Sequence, residues 1–262
     1  MEQFNELKEM RERIFAIASK PNTKHFHSHK VGQLSTPING IMYLLVHKKV
    51  FIIPPQMAIF IPANIKHRVY KINCNTIIKN VYFMEDYFPK LPKDVKTLNL
   101  SELANALITR LCQTAEEHLV HTKTSNILNV LLDELCEEND ILSLQVNMPY
   151  SEKLQTIFDR IINGMDNLPS LGDCAKLINV SPRTLQRIVK KELNISFILW
   201  RQQITFAKSL ELLFIHQRTS IVAYKLGYNS ESAFISMFKK LSGQMLPSKL
   251  LTKLAVNWLH SK

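Results

Sequence analysis

Glycine is scarce in this chain, with six residues among 262. Glycine-rich phosphate cradles need several glycines at fixed spacing, and no such loop occurs. No G-x-S-x-G nucleophile elbow and no H-E-x-x-H metalloprotease helix is present. Four cysteines are present, and none form a C-x-x-C pair. Cys112, Cys136 and Cys174 fall in apolar helical patterns and, with Cys74, read as buried thiols, not as a disulfide framework or zinc site. Long apolar runs are also missing. No stretch of eighteen apolar residues exists to span a bilayer, so no membrane partner is expected. Residues 1–9 mix both charges ahead of any apolar stretch, unlike a secretory signal, so the expected location is cytoplasmic.

Acidic residues are the other shortage, 22 against 33 Lys and Arg, for a formal net charge of +11. The imbalance is localised. Residues 151–262 carry 16 Lys/Arg and 7 Asp/Glu, whereas residues 1–150 carry 17 and 15. A basic excess confined to one half suits a polyanion, because neutralising phosphates releases counterions. A solvated basic face that aids solubility would give the same numbers.

The two halves also differ in periodicity. Apolar and β-branched runs recur at Ile41–Val46, Val50–Ile53, Met57–Ile61, His67–Ile72 and Ile77–Phe83, separated by short breaks rich in Pro, Asn and Lys. Closely spaced short strands predict an antiparallel barrel or sandwich over about 24–85. A helical period follows over about 99–139. Ser101 is placed to cap a helix carrying Leu103, Leu107, Ile108 and Leu111, and a second helix carries Ile127, Leu128, Leu131, Leu132 and Leu135. These two helices fit packing on the β-domain or against a second copy of it, which makes a homodimer one expectation. Residues 140–150 hold neither period and include Pro149, so they read as a linker. Ser151 is then placed to cap a helix running to about Gly164. The expected organisation is an α+β two-domain chain: a β-barrel with two helices over 1–139, the linker 140–150, and an all-α domain over 151–262.

Two helix-turn-helix patterns lie in the all-α part. In the first, Ser170 caps a helix to about Ile178, Ala175 is small where a second helix approaches, and Asn179 takes the left-handed turn. Ser181 caps the next helix with Pro182 in its first turn. Leu185, Ile188 and Val189 face inward. Arg183, Thr184, Gln186, Arg187 and Lys190 are left facing out. Arg pairs bidentately with guanine and Gln with adenine in the major groove. Ser181, Thr184 and Lys191 suit phosphates, which set position, not sequence. The second pattern repeats the logic with Ala223, Gly227, Ser230, Phe234 and Phe238, and its turn is one residue longer. Glu231, Ser232 and Ser236 face outward, with Lys239 and Lys240 near phosphates, so this unit is expected to anchor more than it reads. Phe197–Ile215 forms one rod of roughly 28 Å, on the scale of the ~34 Å between successive major-groove faces. Two generic helical hairpins are the bland alternative. The paired Ala–turn–cap spacing and the charge bias favour double-stranded DNA.

Residues 151–250 resemble the DNA-binding domain of AraC/XylS-type bacterial transcription regulators. The resemblance is carried by Ser181-Pro-Arg-Thr-Leu-Gln-Arg, by Trp200-Arg-Gln-Gln-Ile with Ala207, and by Ala223, Leu226-Gly-Tyr, Ser232-Ala-Phe, Phe238-Lys-Lys, Gly243 and Pro247-Ser. It implies DNA-facing side chains at Arg183, Gln186 and Arg187, and at Glu231, Ser232 and Ser236. Asn179 stands where glycine is usual, and Ser236 where some members place arginine, which weakens the base-reading claim for the second unit.

The N-terminal half carries His27-Ser-His29, Gln33 and, later, His67. Two histidines two apart on a strand point the same way. The set resembles a cupin metal-ligand pattern with Gln33 in the place usual for Glu, and Pro62-Ala-Asn-Ile-Lys-His67 resembles the second cupin motif. The resemblance implies a cupin-like sensor domain holding a divalent transition metal on these four residues. Imidazoles suit zinc, nickel, copper or iron. The same side chains equally fit the lining of a small-effector pocket. The expected function is therefore a sequence-specific transcription regulator acting on promoter DNA in response to a small molecule or metal, with no enzymatic activity, and with RNA polymerase as a partner if it activates. A metal-dependent cupin enzyme fused to a DNA-binding domain, and a nonspecific architectural DNA binder, are the alternatives.

Overall fold

The structure, a computed structural model, describes residues 14–19, 25–38, 40–72, 76–116, 121–137, 144–164, 168–243 and 246–250. Cys74, the N-terminal nine residues and the first part of the expected linker, 140–143, lie outside the described residues. Among the described residues, nine strands form two antiparallel sheets. One has the order β1 (Ile14–Ser19), β7 (Ile78–Phe83), β2 (Gly32–Pro37), β5 (Met57–Ile61), β8 (Lys96–Asn99). The other has the order β6 (His67–Ile72), β3 (Met42–Val46), β4 (Lys49–Ile53), β9 (Gln145–Asn147). Of the two expected forms, barrel or sandwich, the strands take the second: the expected barrel is not closed, and the strands form two facing sheets. Among the described residues no strand ladder joins them; outside the named strands there is one isolated bridge, His27↔His67. The runs read from the sequence all became strands. Strands β1, β2, β8 and β9 were not among them.

Alternation along β5 sorts the layers. Met57, Ile59 and Ile61 join the core that includes the second sheet, while Ala58 and Phe60 join a separate core on the other face. Helices α1 (Glu102–Glu116) and α2 (His121–Glu137) cover that outer face through Ala104, Ile108, Leu111, Leu128, Leu131 and Leu132. Ser101 Oγ accepts from Ala104 N at 2.9 Å, as a cap should. Leu103, expected on the apolar stripe, is exposed. Cys112 and Cys174 are buried thiols, but Cys136, in the last turn of α2, is exposed, contrary to expectation.

The helical half comprises α3 (Glu152–Asn163), α4 (Leu171–Leu177), α5 (Pro182–Leu193), α6 (Phe197–His216), α7 (Thr219–Lys225) and α8 (Glu231–Leu241). Ser151 precedes α3 but makes no side-chain cap; its Oγ is buried without a partner, while its N–H donates to Glu192 Oε1 at 2.9 Å. The chain between the halves is no free linker, since Gln145–Asn147 pairs with β4. Helix α6 has 20 residues and is buried along most of its length, with Trp200 and Ile204 inaccessible and Ala207 and Leu210 nearly so. It packs against α3, α5, α7, α8 and β9. Apolar burial is worth about 25 cal/mol per Å², so this helix is the centre of the helical half.

Both helix-turn-helix turns close in the same way. Val180 N donates to Ala175 O and Tyr228 N to Ala223 O, each at 3.0 Å, across a left-handed residue at Asn179 (φ 55°) or Gly227 (φ 76°). A residue with a Cβ pays in steric energy for that backbone, and Asn less than most. We expect Asn179→Ala to lower unfolding stability by about 1 kcal/mol and Asn179→Gly to leave it within ~0.5 kcal/mol. Denaturant titration measures both, and equal effects of the two substitutions would refute the turn assignment.

Candidate nucleic-acid interface and histidine centre

Helix α5 begins from a well-formed cap. Ser181 Oγ accepts from Thr184 N at 3.1 Å, and Pro182 occupies the first turn. Leu185 and Val189 are fully buried, which fixes the rotation of the helix. Arg183, Gln186, Arg187 and Lys190 are consequently exposed on the opposite face. Thr184 is half-buried, its Oγ1 within 2.9 Å of Ser181 Oγ. Lys190 Nζ donates to Asn194 O at 3.1 Å, at the C-terminal cap. Lys191 is exposed beside it.

Helix α8 is built similarly. Ser230 Oγ accepts from Ala233 N at 3.2 Å, and Phe234, Met237 and Phe238 are buried. Glu231, Ser232, Ser236 and Lys240 are exposed, and Lys239 is half-exposed. Ala175 and Ala223, the small contacts, are both buried. Every sequence-predicted residue of these two helices thus reaches solvent at least in part, on the face opposite the packed one.

The histidine set converges from separate segments. His27 and His29 were expected on a strand; they lie instead on an irregular segment whose backbone pairs with β6 through His27 N–His67 O (3.0 Å) and His67 N–His27 O (2.9 Å). One ring nitrogen from each of His27, His29 and His67 lies within 4.8 Å of the others. In each ring Nδ1 faces a backbone carbonyl: His25 O at 3.3 Å, Val31 O at 2.7 Å and Ile65 O at 2.8 Å. A carbonyl only accepts, so each Nδ1 carries the hydrogen, and in the neutral ring the lone pair is on Nε2. His67 Nε2 is buried with no hydrogen-bond partner among the described residues. Burial, opposed by the Ile65 bond and reinforced by the neighbouring histidines, brings the His67 pKa down to about 3, so the ring is neutral. Burial also lowers His27 below its ordinary value, with His29 adding to the effect and the His25 carbonyl opposing it.

Gln33 completes the group. Its Oε1 lies 2.6 Å from His29 Nε2, and its Nε2 donates to Ser35 Oγ and Asn80 Oδ1, both at 2.8 Å. Ser35 Oγ in turn donates to Asn80 Oδ1 at 2.7 Å. The sequence pointed to Gln33 but not to its buried supports, Ser35 and Asn80. Polar residues in a strand signal burial only when the pairing β2–β7, which places Ser35 opposite Asn80, is known. Tyr82, also on β7, stands edge-on to His29 with ring centroids 5.5 Å apart, and burial raises its hydroxyl pKa to about 12.

Comparison with known proteins bears on the helical half first. A family model described as a helix-turn-helix domain matches residues 174–253. The chain is 31% identical over 238 residues to the HTH-type transcriptional regulator NimR of Escherichia coli (strain K12), covering 88% of this chain and 84% of NimR. Among solved structures, ToxT from Vibrio cholerae O395 is similar over 92% of this chain and 98% of its own, at 12% identity and a TM-score of 0.39. The C-terminal domain of AraT from Geobacillus stearothermophilus is 30% identical over 39% of this chain and 86% of its own, with a TM-score of 0.35. With two helix-turn-helix units of matching geometry and a relative of this kind matched over most of both chains, the chain belongs to the AraC-type family of helix-turn-helix transcriptional regulators.

Proposed function

We propose that this regulator binds promoter DNA sequence-specifically through α5, anchors itself through α8, and is controlled by a divalent transition metal held in its β-domain. The observation that carries the DNA reading is the rotation of α5. Burial of Leu185 and Val189 leaves Arg183, Gln186 and Arg187 on one exposed face, the residue types that read guanine and adenine edges. Ser181, Thr184, Lys190, Lys239 and Lys240 suit phosphates and set register. Glu231 can accept from a cytosine amino group, with Ser232 and Ser236 beside it, but the absence of arginine on α8 makes it the lesser reader.

The two-sheet domain, cupin-like in its histidine and glutamine set, supports the sensory reading. Metal-bound imidazoles ordinarily donate their second N–H to a carbonyl or carboxylate, and all three histidines here have Nδ1 placed for that. The buried Nε2 of His67 lacks a partner among the described residues, and Gln33 Oε1 faces the lone pair of His29. A metal ion relieves that meeting of two acceptors; so does a doubly protonated ring, or a half-turn of the Gln33 and Asn80 amides together, and a metal titration separates the first case from the others. Three imidazoles and one amide oxygen make a neutral set suited to zinc or its late-transition neighbours, not to calcium or magnesium. When bound, such an ion would supply a fixed positive charge tying His27, His29 and His67 together. The relatives' regulatory role disfavours the alternative of a cupin enzyme.

Two measurements test these roles. Against a duplex selected from a random-sequence pool, Arg187→Ala should cost ~1–3 kcal/mol and relax choice at one base pair. Lys240→Ala should weaken all sequences alike and reduce the salt slope by about 1. Uniform weakening by Arg187→Ala would contradict base reading. In competition with a chromophoric chelator, the wild-type chain should take up one zinc equivalent and His67→Ala none. Gln33→Glu, which adds a negative charge, should tighten uptake on the order of tenfold. Equal uptake by wild type and His67→Ala would remove the metal assignment.

A further inference from the structure

Strand β6 begins in the histidine centre and ends against the helical half. Its first residue, His67, is a member of the centre. Among the described residues its only ladder partner is β3, and the register between them slips at Tyr43/Leu44: Leu44 faces Val69, whereas Tyr43 faces Lys71. Tyr70 is therefore an extra residue on β6. Successive strand residues normally point to opposite faces, and a bulge of this kind re-aims them. Here both Tyr70 and Lys71 reach the helices. Tyr70 OH donates to Asp159 on α3. Lys71 Nζ donates to Ile162 O at 3.0 Å and to Glu211 Oε2 on α6 at 3.1 Å.

Glu211 gathers the contacts. Besides Lys71, its Oε2 accepts from Tyr43 OH at 3.3 Å and pairs with Lys208 Nζ at 3.2 Å. Tyr43 OH also lies 3.3 Å from Ala207 O. The side chains of Lys71, Lys208 and Glu211 are 19%, 6% and 10% exposed. Burial lowers the Lys71 pKa, opposed by Glu211, and raises that of Tyr43. Removing one member of such a buried cluster leaves the others uncompensated. The surroundings are apolar: sheet residues Leu44 and Ile52 and helix residues Ile204 and Phe158 belong to one continuous core.

We propose that β6 couples occupancy of the histidine centre to the seating of α6, with Glu211 as the receiving residue. This inference rests on the sensory reading of the histidines. An ion at the centre would draw three ring nitrogens from within 4.8 Å toward the ~3.3 Å separation that zinc–nitrogen bonds of ~2.0–2.1 Å imply. His67 moves with its strand, since its backbone is paired to His27 on one side and to Val46 on the other. The displacement arrives at Lys71, four residues on, where hydrogen bonds of 3.0 Å to α3 and 3.1 Å to α6 have little slack. Because α6 joins both helix-turn-helix units, loosening its seat weakens DNA binding. Coupling between two sites is reciprocal, so breaking the Glu211 cluster must also loosen the histidine end of β6.

The test uses the full chain, zinc and the selected duplex. Without metal, Glu211→Gln should speed amide exchange at residues 65–71 as well as along α6, while β4 and β5 keep their protection. With zinc, wild-type DNA affinity should fall about 5–50-fold. In Glu211→Gln zinc should still bind, and its effect on DNA should shrink to less than about twofold. Tyr43→Phe and Lys71→Met, milder changes to the same cluster, should give intermediate responses and keep the comparison decisive if Glu211→Gln folds poorly. Faster exchange confined to α6, or a zinc response retained in full by the variants, would overturn the coupling. If wild type takes up no zinc yet exchange spreads to residue 65, the metal assignment falls and the mechanical link stands.

Discussion

Burial of helix α6 is the constraint on which the rest of this structure depends. Trp200, Ile204, Ala207, Leu210 and Leu213 are shielded along one rod that packs against α3, α5, α7, α8 and β9. Trp200 also sends its indole N–H toward Asn147 O at 3.4 Å. The helix is thus at once the spine of the DNA-binding half and the floor on which the second sheet rests. The orientation of each reading helix follows from how it seats on this spine: Val189 and Leu185 for α5, Phe234 and Phe238 for α8. The face left outside is a by-product of that seating, and so is the disposition of its arginines.

Much of this was legible in the amino-acid order because local chemistry decides it. The serine caps at 170, 181 and 230, the small alanines at 175 and 223, and the left-handed turns at Asn179 and Gly227 are each set by residues within one helical turn. The strands β3 to β7 were legible because their apolar and β-branched runs are separated by short polar or proline-containing breaks. Ser151 stands at the cap position without capping; the entry to the helix is instead held by Glu192, forty-one residues away, whose Oε1 accepts from the Tyr150 and Ser151 N–H groups. Strand β2 was hidden because Gln33, Ser35 and Thr36 are polar yet buried, satisfied by partners on β5 and β7. Strand β8, Lys-Thr-Leu-Asn, is too short and too polar to announce itself.

The candidate sites divide in the same manner. The outward residues of α5 follow from helical period alone. The histidines were identifiable as a set, but their convergence comes from a bridge between an irregular segment and β6, not from strand alternation. The Glu211 cluster joins residues up to 168 positions apart and had no signature in the order of amino acids. Long-range polar contacts of this sort become visible only when two surfaces meet.

One detail of the connection between the halves has a consequence for how such regulators can be recombined. Strand β9 lies on the linker side in chain order, yet it completes the edge of the second sheet beside β4. An uncovered edge presents unpaired backbone groups to other chains. A chimera that exchanges sensory halves between relatives should therefore be joined after residue 148, so that the strand travels with its sheet. A seam placed at 143 would hand the strand to the wrong parent and leave β4 as an open template for aggregation.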